Sequence, residues 1–325
     1  MKRRIAILGS TGSIGTQALD VVRRHPDQFE VEVLTAQSST ASLIRQAIEF
    51  RPNAVVIGDD AYYSEVKTAL EGYDIKVFAG REALLQIVEM ESIDLVLIAR
   101  RMDPLQQLAD VLKRTYYIDV TCISCDLAGR DATEQIVKSL NGREINILVY
   151  NAALSYIGPF IKNSSEYHAR MAQVNMLAPL AMLHAFGDKM IANNRGAIIL
   201  MTSLAGFQGS GYLTMYAATK AYNRVLAESL WYEWKQYGVD VMACCAGATA
   251  TPGFNRTSPE KAGFLAPRVQ EPKEVVSECF SKLGRQPSFI SGTGNKVASF
   301  IMQKLLPRKM TVTIMGDNTR KMYRL

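Results

Sequence analysis

Short apolar runs alternate with amphipathic stretches of helical length along almost the whole chain, and this alternation limits the fold more than any other feature. The strand candidates are Ile5–Leu8, Val31–Thr35, Ala54–Ile57, Lys76–Phe78, Leu95–Ala99, Val120–Cys125, Ile145–Tyr150, Ala197–Thr202, Val239–Cys245 and Thr311–Met315. Most of them lack polar alternation, which is typical of strands covered on both faces. Helices between such strands imply right-handed crossovers. The sequence therefore predicts an α/β fold with doubly wound parallel sheets and helices on both faces.

Composition and charge exclude several classes of protein. The 325 residues are 48% hydrophobic and 21% charged, a globular composition. No apolar run reaches the ~18 residues that a membrane span needs, and Ile5–Leu8 is too short for a signal peptide. The net charge of +6 forms small clusters at residues 2–4 and in the tail, without the stripe and stacking aromatics typical of nucleic-acid proteins. We expect a cytoplasmic protein with no membrane span that binds anionic small molecules rather than nucleic acid.

The cysteines and histidines do not form a disulfide framework or a metal centre. Cys122 and Cys125 have C-x-x-C spacing but lie in a strand candidate, where residues three apart face opposite ways. His25, His168 and His184 are too scattered for a metal triad. We therefore predict reduced thiols and no metal site, in agreement with a cytoplasmic location.

A glycine-rich turn joins the first strand candidate to a helical stretch that runs to Arg24. Its glycines allow a tight turn and a close approach to a diphosphate, which the helix amides and the positive end of the helix dipole stabilise. The alternative is a tight β–α turn that binds nothing, but the position between a strand and a helix favours binding. The sequence predicts a Rossmann-type dinucleotide site formed by Gly9, Thr11, Gly12, Ser13, Ile14 and Gly15.

Residues 1–98 resemble the N-terminal NADPH-binding domain of 1-deoxy-D-xylulose 5-phosphate reductoisomerase. The resemblance is carried by three stretches, Gly9–Gln17, Ile44–Pro52 and Glu91–Val96. It implies that the turn formed by Gln37, Ser38 and Ser39 contacts the adenosine phosphate, although no basic residue stands there. The acidic metal-binding motif and the substrate-phosphate loop of that family have no counterpart after residue 98. Reductoisomerase activity in isoprenoid biosynthesis is therefore the lowest-ranked hypothesis.

A tyrosine and a lysine four residues apart, Tyr216 and Lys220, form a second candidate site. The spacing places both on one face of a helix, where the ammonium is expected to lower the tyrosine pKa from ~10 toward the working pH. Such a phenol can exchange a proton with an alcohol or a carbonyl. Ser203, at the end of a strand candidate thirteen residues earlier, is placed to polarise the same carbonyl. Because the Tyr–Lys pair also occurs on exposed helices, the assignment depends on the flanking segments.

The flanking segments that carry a second resemblance are Cys125–Leu127, Asn151–Ala153, Val174–Asn175 and Ala246–Thr249. Together with Ser203, Tyr216 and Lys220, they make residues 95–325 resemble the short-chain dehydrogenase/reductase family. The resemblance implies that Asn175 anchors a water of the proton relay, and that the long helix Tyr216–Tyr237 forms a homodimer contact. Core packing explains the aromatic residues of that helix, Trp231 and Trp234 among them, equally well. An arginine at position 100, where an acid would hold the ribose of NAD, suits the extra phosphate of NADP. The implied cofactor contacts are Arg100, Asp126, Asn151, Ala152, Lys220, Gly247 and Thr249.

The two resemblances meet inside one strand candidate, Asp94–Ala99, so the chain has the form of a chimera with domains at 1–98 and 99–325. The second half lacks a first strand and a glycine turn of its own. In one architecture Ile5–Leu8 supplies that strand beside Ile145–Tyr150, and a composite cofactor site forms. In the other, which the local sequence favours, the shared strand pairs with Ile5–Leu8 and the halves remain separate modules.

The leading hypothesis is an NADP(H)-dependent oxidoreductase of short-chain type that transfers hydride between nicotinamide and a carbonyl or alcohol substrate. Its proton donor in reduction is Tyr216, and Lys220 also holds the nicotinamide ribose. The loop Thr249–Pro272, with Phe254 and Phe264, is expected to cover a mainly apolar substrate. The alternative is a non-catalytic chain that binds NADPH through its glycine turn.

Overall fold

The computed structural model describes residues 2–80, 82–84, 94–116, 118–257, 259 and 269–325. The chain forms two compact units, the first comprising Met1–Leu95 with Leu112–Val120, and the second Val96–Val111 with Thr121–Leu325. The first division along the chain therefore falls next to Leu95, inside the strand candidate at which the two resemblances meet.

The first unit contains a four-stranded parallel sheet. Its strands are β1 (Arg3–Ile7), β2 (Phe29–Ala36), β3 (Ala54–Ile57) and β4 (Lys76–Ala79), in the order β1-β2-β3-β4. The helices between them are α1 (Ser13–Arg24), α2 (Thr40–Phe50) and α3 (Tyr63–Ala69). Apolar residues of the helices, such as Leu19, Leu43 and Val66, pack with the buried side chains of β2 and β3. Each crossover is therefore a β-α-β unit, as the apolar runs predict.

A second parallel sheet has the order β7-β8-β9-β10, and two further strands, β5 and β6, pair with each other. These strands are β5 (Leu95–Ala99), β6 (Val120–Ser124), β7 (Ile147–Tyr150), β8 (Gly196–Ser203), β9 (Val239–Ala246) and β10 (Ser288–Ile290). The helices are α4 (Met102–Tyr116), α5 (Ala132–Ser139), α6 (Ser165–Ala172), α7 (Ala178–Ala192), α8 (Thr214–Trp234), α9 (Pro252–Asn255), α10 (Pro272–Lys282), α11 (Thr293–Phe300) and α12 (Arg308–Tyr323). Two π-helical turns, Gln173–Leu177 and Ile301–Leu305, interrupt the α-helical geometry.

Alternate side chains of β9 belong to different cores, so helices cover both faces of this sheet. Val241 packs in one cluster with Ile136 of α5 and Phe186 of α7. Met242 packs in another cluster with Val275 of α10. Successive side chains of a strand point to opposite faces, so the two clusters lie on opposite sides. The predicted fold class, parallel sheets with helices on both faces, is confirmed.

Strand pairing is described within each sheet. Among the described residues, β1 pairs with β2, β5 with β6, and β7 with β8. Val96 of β5 packs against the core that contains Tyr150 of β7. The choice between the two predicted architectures stays a prediction. Pairing was beyond prediction because it depends on contacts between residues far apart in sequence.

Strands β5 and β7 each keep one edge unpaired in the part of the chain that the structure describes. Ile147 and Val149 of β7 are 52% and 47% exposed, although strands of this kind are normally covered on both faces. β5 and β7 belong to different sheets, and no described strand pairs with both of them.

One predicted strand is wrong and one strand was missed. Thr311–Met315 lies within α12, where the hydroxyl of Thr311 donates to the carbonyl of Met302 at 2.8 Å. The β-branched run indicated a strand, but β-propensity is weak and tertiary context overrides it. Conversely, β10 has three residues and no apolar run, so its sequence carries no signal. It forms because Phe289 pairs in register with Cys244.

All five cysteines are free thiols. Cys244 and Cys245 are fully buried in β9, as filler residues of a strand. Burial raises the pKa of Cys245 to about 11, so this thiol is uncharged at neutral pH.

Candidate functional site

The glycine turn between β1 and α1 leaves the first turn of the helix open. Gly9 has a φ of +66°, and the amide of Gly12 donates to the Gly9 carbonyl at 3.0 Å. Helix α1 begins after Gly12 with no side-chain cap and no acidic residue in its first turn. Gly12, Ser13 and Ile14 are exposed. The uncapped amides and the positive end of the helix dipole therefore lie at an accessible surface, as an anion site requires.

Polar contacts hold this turn in place. The buried Ser10 donates from its hydroxyl to Oε1 of Gln46 at 2.7 Å, and Nε2 of Gln46 donates back to the Ser10 carbonyl at 3.0 Å. The amide of Ser10 donates to the carbonyl of Thr35 at 2.8 Å. A Cβ at Gly15 would lie 2.3 Å from the carbonyl oxygen of Gly9, so only glycine fits there. The sequence did not identify Gln46 or Thr35, because polar residues far along the chain carry no local signal.

The second predicted element of the dinucleotide site, the turn at Gln37, Ser38 and Ser39, is exposed and follows β2. It lies at the same sheet edge as the glycine turn, because β1 and β2 are adjacent and parallel. The side chain of Gln37 lies against Gly58, where a Cβ would be 2.5 Å from Oε1. This turn offers hydroxyls and an amide rather than a cation, and its contact with the adenosine phosphate stays a prediction.

In the second unit the structure brings Ser203, Tyr216 and Lys220 together. Ser203 ends β8, where its hydroxyl accepts from the amide of Ala205 at 3.2 Å and lies close enough to the Tyr216 phenol on α8 to lower its pKa. Lys220 lies one turn farther along α8, is 3% exposed, and donates from Nζ to the carbonyl of Met201 at 2.6 Å. Its Nζ is 5.7 Å from the centre of the Tyr216 ring. A phenol, a hydroxyl and an ammonium thus share one partly enclosed site.

Burial controls the ionisation of this site. It raises the pKa of Tyr216, and the hydrogen bond with Ser203 opposes the rise. It also lowers the pKa of Lys220 to about 8. The prediction that Lys220 lowers the pKa of Tyr216 is therefore wrong in direction, because desolvation of the phenolate is the largest influence on this pKa and raises it. At neutral pH the phenol is protonated and the ammonium is largely charged.

Asn175 is fully buried in the π-helical turn, and its side chain contacts protein groups. Oδ1 accepts from the amide of Leu154 at 2.8 Å, and Nδ2 donates to the Leu154 carbonyl at 2.8 Å and to Oγ1 of Thr219 at 3.0 Å. Its backbone carbonyl accepts from Nδ2 of Asn223 at 2.9 Å. Asn175 therefore joins the loop after β7 to α8, and its role as the anchor of a relay water stays a prediction.

Two members of this network, Thr219 and Asn223, were not identified from the sequence. They lie on α8 at helical spacing from Tyr216 and are buried. The sequence did carry a signal for both residues, because they are polar and lie on the buried side of a helix. A buried polar side chain needs a hydrogen-bond partner.

Four predicted cofactor residues follow the strands β5, β6 and β7 and are exposed: Arg100, Asp126, Asn151 and Ala152. Asp126 accepts from the amide of Ala128 at 3.1 Å and from Nη2 of Arg170 at 2.5 Å. The amide and the guanidinium lower the pKa of this carboxyl. Its position at the end of a strand suits contact with adenine, which stays a prediction.

The remaining predicted cofactor residues, Gly247 and Thr249, follow β9. A Cβ at Gly247 would lie 2.6 Å from Nδ2 of Asn295, so the side chain of Asn295 excludes a larger residue. The hydroxyl of Thr249 donates to the Gly247 carbonyl at 3.1 Å, and Nδ2 of Asn295 donates to Oε1 of Gln270 at 3.1 Å. Gln270 and Asn295 thus support this segment, and neither residue could be identified from the local sequence pattern.

The loop that was expected to cover the substrate is described only in part. Phe254 lies in α9, where its amide donates to the hydroxyl of Thr251 at 3.2 Å. Phe264 lies outside the described residues, as do Glu91, Ser92 and Ile93 of the first resemblance. A cavity of about 340 Å³ lies beside the described end of the loop, lined by Gln270, Glu274, Gly292, Thr293, Gly294 and Asn295. Coverage of a substrate by this loop stays a prediction.

The residues present fit a nicotinamide dinucleotide by their chemistry. In the first unit, an uncapped helix start and a glycine with no room for a Cβ suit a diphosphate. In the second unit, the hydroxyls of Ser203 and Tyr216 with the ammonium of Lys220 suit proton transfer to a carbonyl.

Comparisons with known proteins show the same division of the chain. The short chain dehydrogenase family profile matches residues 80–262, and the 1-deoxy-D-xylulose 5-phosphate reductoisomerase profile matches residues 5–103. A 7β-hydroxysteroid dehydrogenase of Mediterraneibacter gnavus is 30% identical over 219 residues, which cover 67% of this chain and 83% of that protein. A 1-deoxy-D-xylulose 5-phosphate reductoisomerase of Phocaeicola vulgatus is 55% identical over 97 residues, which cover 30% of this chain. These residues are 25% of the reductoisomerase, so the chain spans about a quarter of its length.

A solved structure gives the same assignment for the larger part. The short-chain dehydrogenase from Sphingobium yanoikuyae in complex with NADPH has a TM-score of 0.56 and 25% identity, and the match covers 65% of this chain and 82% of that one. Relatives of the two kinds cover distinct segments, so the chimera-like organisation is confirmed. The chain belongs to the short-chain dehydrogenase family, and its amino-terminal segment is similar to 1-deoxy-D-xylulose 5-phosphate reductoisomerase.

Proposed function

We propose that the chain is an NADP(H)-dependent carbonyl/alcohol oxidoreductase whose proton-transfer site consists of Ser203, Tyr216 and Lys220. The observation that carries the proposal is the position of the buried Lys220 one turn along α8 from Tyr216, with its Nζ 5.7 Å from the centre of the Tyr216 ring and the Ser203 hydroxyl close to the phenol. Two hydroxyls so close together can both donate to one carbonyl oxygen. Family membership supports hydride transfer as the reaction class.

When bound, NADP(H) supplies or accepts the hydride. Because its pKa is raised, Tyr216 is protonated at neutral pH and serves as the proton donor to the carbonyl oxygen in reduction. Ser203 donates a hydrogen bond to the same oxygen and stabilises the negative charge that develops there. The ammonium of Lys220 stabilises the phenolate that remains after proton transfer.

The direction of the Tyr216 shift also sets the pH dependence. In alcohol oxidation the phenol must act as a base, and below its raised pKa only a minor fraction is ionised. The rate of oxidation should therefore rise on the order of tenfold per pH unit in neutral and mildly alkaline solution. The rate of reduction, which uses the protonated phenol, should change little up to about pH 8, above which Lys220 loses the charge that stabilises the phenolate.

Three observations support NADP(H) and an apolar carbonyl substrate. Arg100 stands where an acid would favour NAD. A family member with a similar structure holds NADPH, and another relative acts as a 7β-hydroxysteroid dehydrogenase. Within the first unit, the uncapped amides of Gly12, Ser13 and Ile14 would hold a diphosphate.

The test compares Tyr216→Phe with Tyr232→Phe, because both tyrosines lie on α8 and Tyr232 is exposed. Reduction of a panel of ketones and aldehydes that includes steroid ketones is followed by NADPH consumption. We expect Tyr216→Phe to lose a factor on the order of 10² to 10⁴ in rate, with NADPH affinity and the Tyr232→Phe rate unchanged. A Tyr216→Phe protein that reduces the panel at the original rate would falsify the assignment.

The second candidate function is that of a non-catalytic NADPH-binding chain. It is favoured by one observation: the diphosphate turn belongs to the first unit and the phenol to the second. Saturable NADPH binding that is lost in Gly12→Asp, without turnover of any carbonyl, would support it. Gln28→Asp, an equal charge change at an exposed position of the same unit, is the control.

A further inference from the structure

The last 33 residues, 293–325, carry the whole positive excess of the chain. They contain one acidic residue, Asp317, and seven basic ones: Lys296, Lys304, Arg308, Lys309, Arg320, Lys321 and Arg324. The segment therefore has a net charge of +6, the same as that of the complete chain, and the preceding residues are neutral overall.

Helix α11 and the π-helical turn that continues it bury their polar side and expose their apolar side. Asn295 and Ser299 are 3% and 8% exposed, whereas Val297, Phe300, Ile301 and Leu305 are 55%, 59%, 39% and 64% exposed. The exposed residues recur at spacings of three and four, so they lie on one side of the helix. Lys304 is exposed on that same side. We call Val297, Phe300, Ile301, Lys304 and Leu305 the apolar face.

This arrangement is the reverse of the usual one, because a surface helix normally turns its apolar stripe toward the core. The start of α12 continues the reversal: Thr311 is buried, while Met310 and Val312 are exposed. Lys304 and Lys309 are exposed and form no ion pair among the residues that the structure describes. The segment thus presents apolar side chains next to unneutralised positive charge.

We propose that the apolar face docks on the surface of an anionic lipid bilayer. Helices that combine apolar side chains with lysines lie in the interface, where the apolar groups enter the acyl boundary and the charges meet lipid phosphates. The long stems of Lys304 and Lys309 allow their ammonium groups to reach the headgroups while Phe300 and Leu305 insert. No described helix is long and apolar enough to cross a membrane.

Charge argues against a second copy of this chain as the occupant. A symmetric contact would bring two segments of net charge +6 against each other. A lipid surface, in contrast, supplies negative charge over its whole area and requires no complementary shape. An acidic protein is the remaining alternative, and the experiment below separates it.

The experiment measures cosedimentation of the full chain with vesicles of phosphatidylcholine plus phosphatidylglycerol, and with vesicles of phosphatidylcholine alone. We expect binding to the anionic vesicles that weakens with added salt. Leu305→Ser should weaken it on the order of tenfold, and so should Lys304→Glu. The matched controls are Ile161→Ser, an apolar residue that is 86% exposed, and Lys189→Glu on α7, and neither should change binding.

A second measurement covers the case in which Leu305→Ser folds poorly. Phe300→Trp should show a blue shift of its fluorescence on addition of the anionic vesicles, relative to the unsubstituted chain. Absence of binding to anionic vesicles overturns the proposal and leaves an acidic protein as the occupant. The proposal is also overturned if Leu305→Ser binds the anionic vesicles as tightly as the unsubstituted chain does. It is overturned as well if the unsubstituted chain forms a concentration-dependent dimer that Leu305→Ser, and no other variant, abolishes. None of these readouts depends on catalysis.

Discussion

Lys220 is expected to make the protein less stable at neutral pH than it would be without this charge. The side chain is 3% exposed, and burial lowers its pKa from 10.5 to about 8. The folded state therefore binds this proton less tightly than the unfolded state does. The resulting loss of stability is complete below about pH 8 and disappears as the pH rises through the unfolded value. A difference of about 2.5 pKa units corresponds to about 3 kcal/mol.

Replacement of Lys220 by methionine removes the charge and keeps the length of the side chain. The substitution also removes the hydrogen bond to the Met201 carbonyl, at a cost of about 1–2 kcal/mol. We therefore expect Lys220→Met to be more stable than the original chain by about 1–2 kcal/mol near pH 6. Near pH 9.5 most of the charge penalty is gone, so the advantage should vanish or reverse. Oxidoreductase activity should be lost at both pH values.

The assay is urea unfolding at a series of pH values, followed by tryptophan fluorescence. Both tryptophans, Trp231 and Trp234, lie on α8, the helix that carries Lys220, so the signal reports the second unit. Lys189→Met is the control, because Lys189 is exposed and its replacement should change the free energy of unfolding little. If the curves of Lys220→Met and the original chain stay parallel between about pH 6 and about pH 9.5, the reasoning is refuted.

Two further predictions concern close packing at glycines. Gly15→Ala should abolish tight NADPH binding and lower the Tm of the first unit, because the new Cβ would lie 2.3 Å from the carbonyl of Gly9. Gly12→Ala, whose Cβ would be 3.4 Å from the same oxygen, should keep the Tm, and equal effects of the two would contradict this account. Gly187→Ala should cost about 1–3 kcal/mol in the free energy of unfolding, because its Cβ would lie 2.4 Å from the ring of Trp234. A neutral result in urea unfolding would show that the ring moves freely.

The role of Trp234 bears on the predicted homodimer. Trp231 and Trp234 pack against the core of the second unit, and Tyr232 between them is 80% exposed. The two tryptophans are therefore explained by core packing, one of the two interpretations that the sequence left open. Dimerisation through α8 stays a prediction.

Local pattern alone located the elements that carry the candidate chemistry. A glycine triplet between a strand and a helix is a property of neighbouring residues, so the turn at Gly9–Gly15 could be identified without any contact information. The same holds for Tyr216 and Lys220, whose spacing places them on one helix face. The alternation of apolar runs with helical stretches likewise indicated parallel sheets, because chain neighbours determine that pattern.

Tertiary structure decided what the pattern left open. Contacts between distant residues decide the pairing of β1 and the helical structure of Thr311–Met315, because they outweigh the weak local preference of the sequence. The direction of the Tyr216 pKa shift was wrongly predicted because the ammonium of Lys220 is visible in the sequence and the burial of the phenol is not. The partners of Asn175 come from two other segments of the chain and appear only when the chain folds. Sequence supplies the groups, and burial, which only the fold creates, sets their ionisation and their hydrogen bonds.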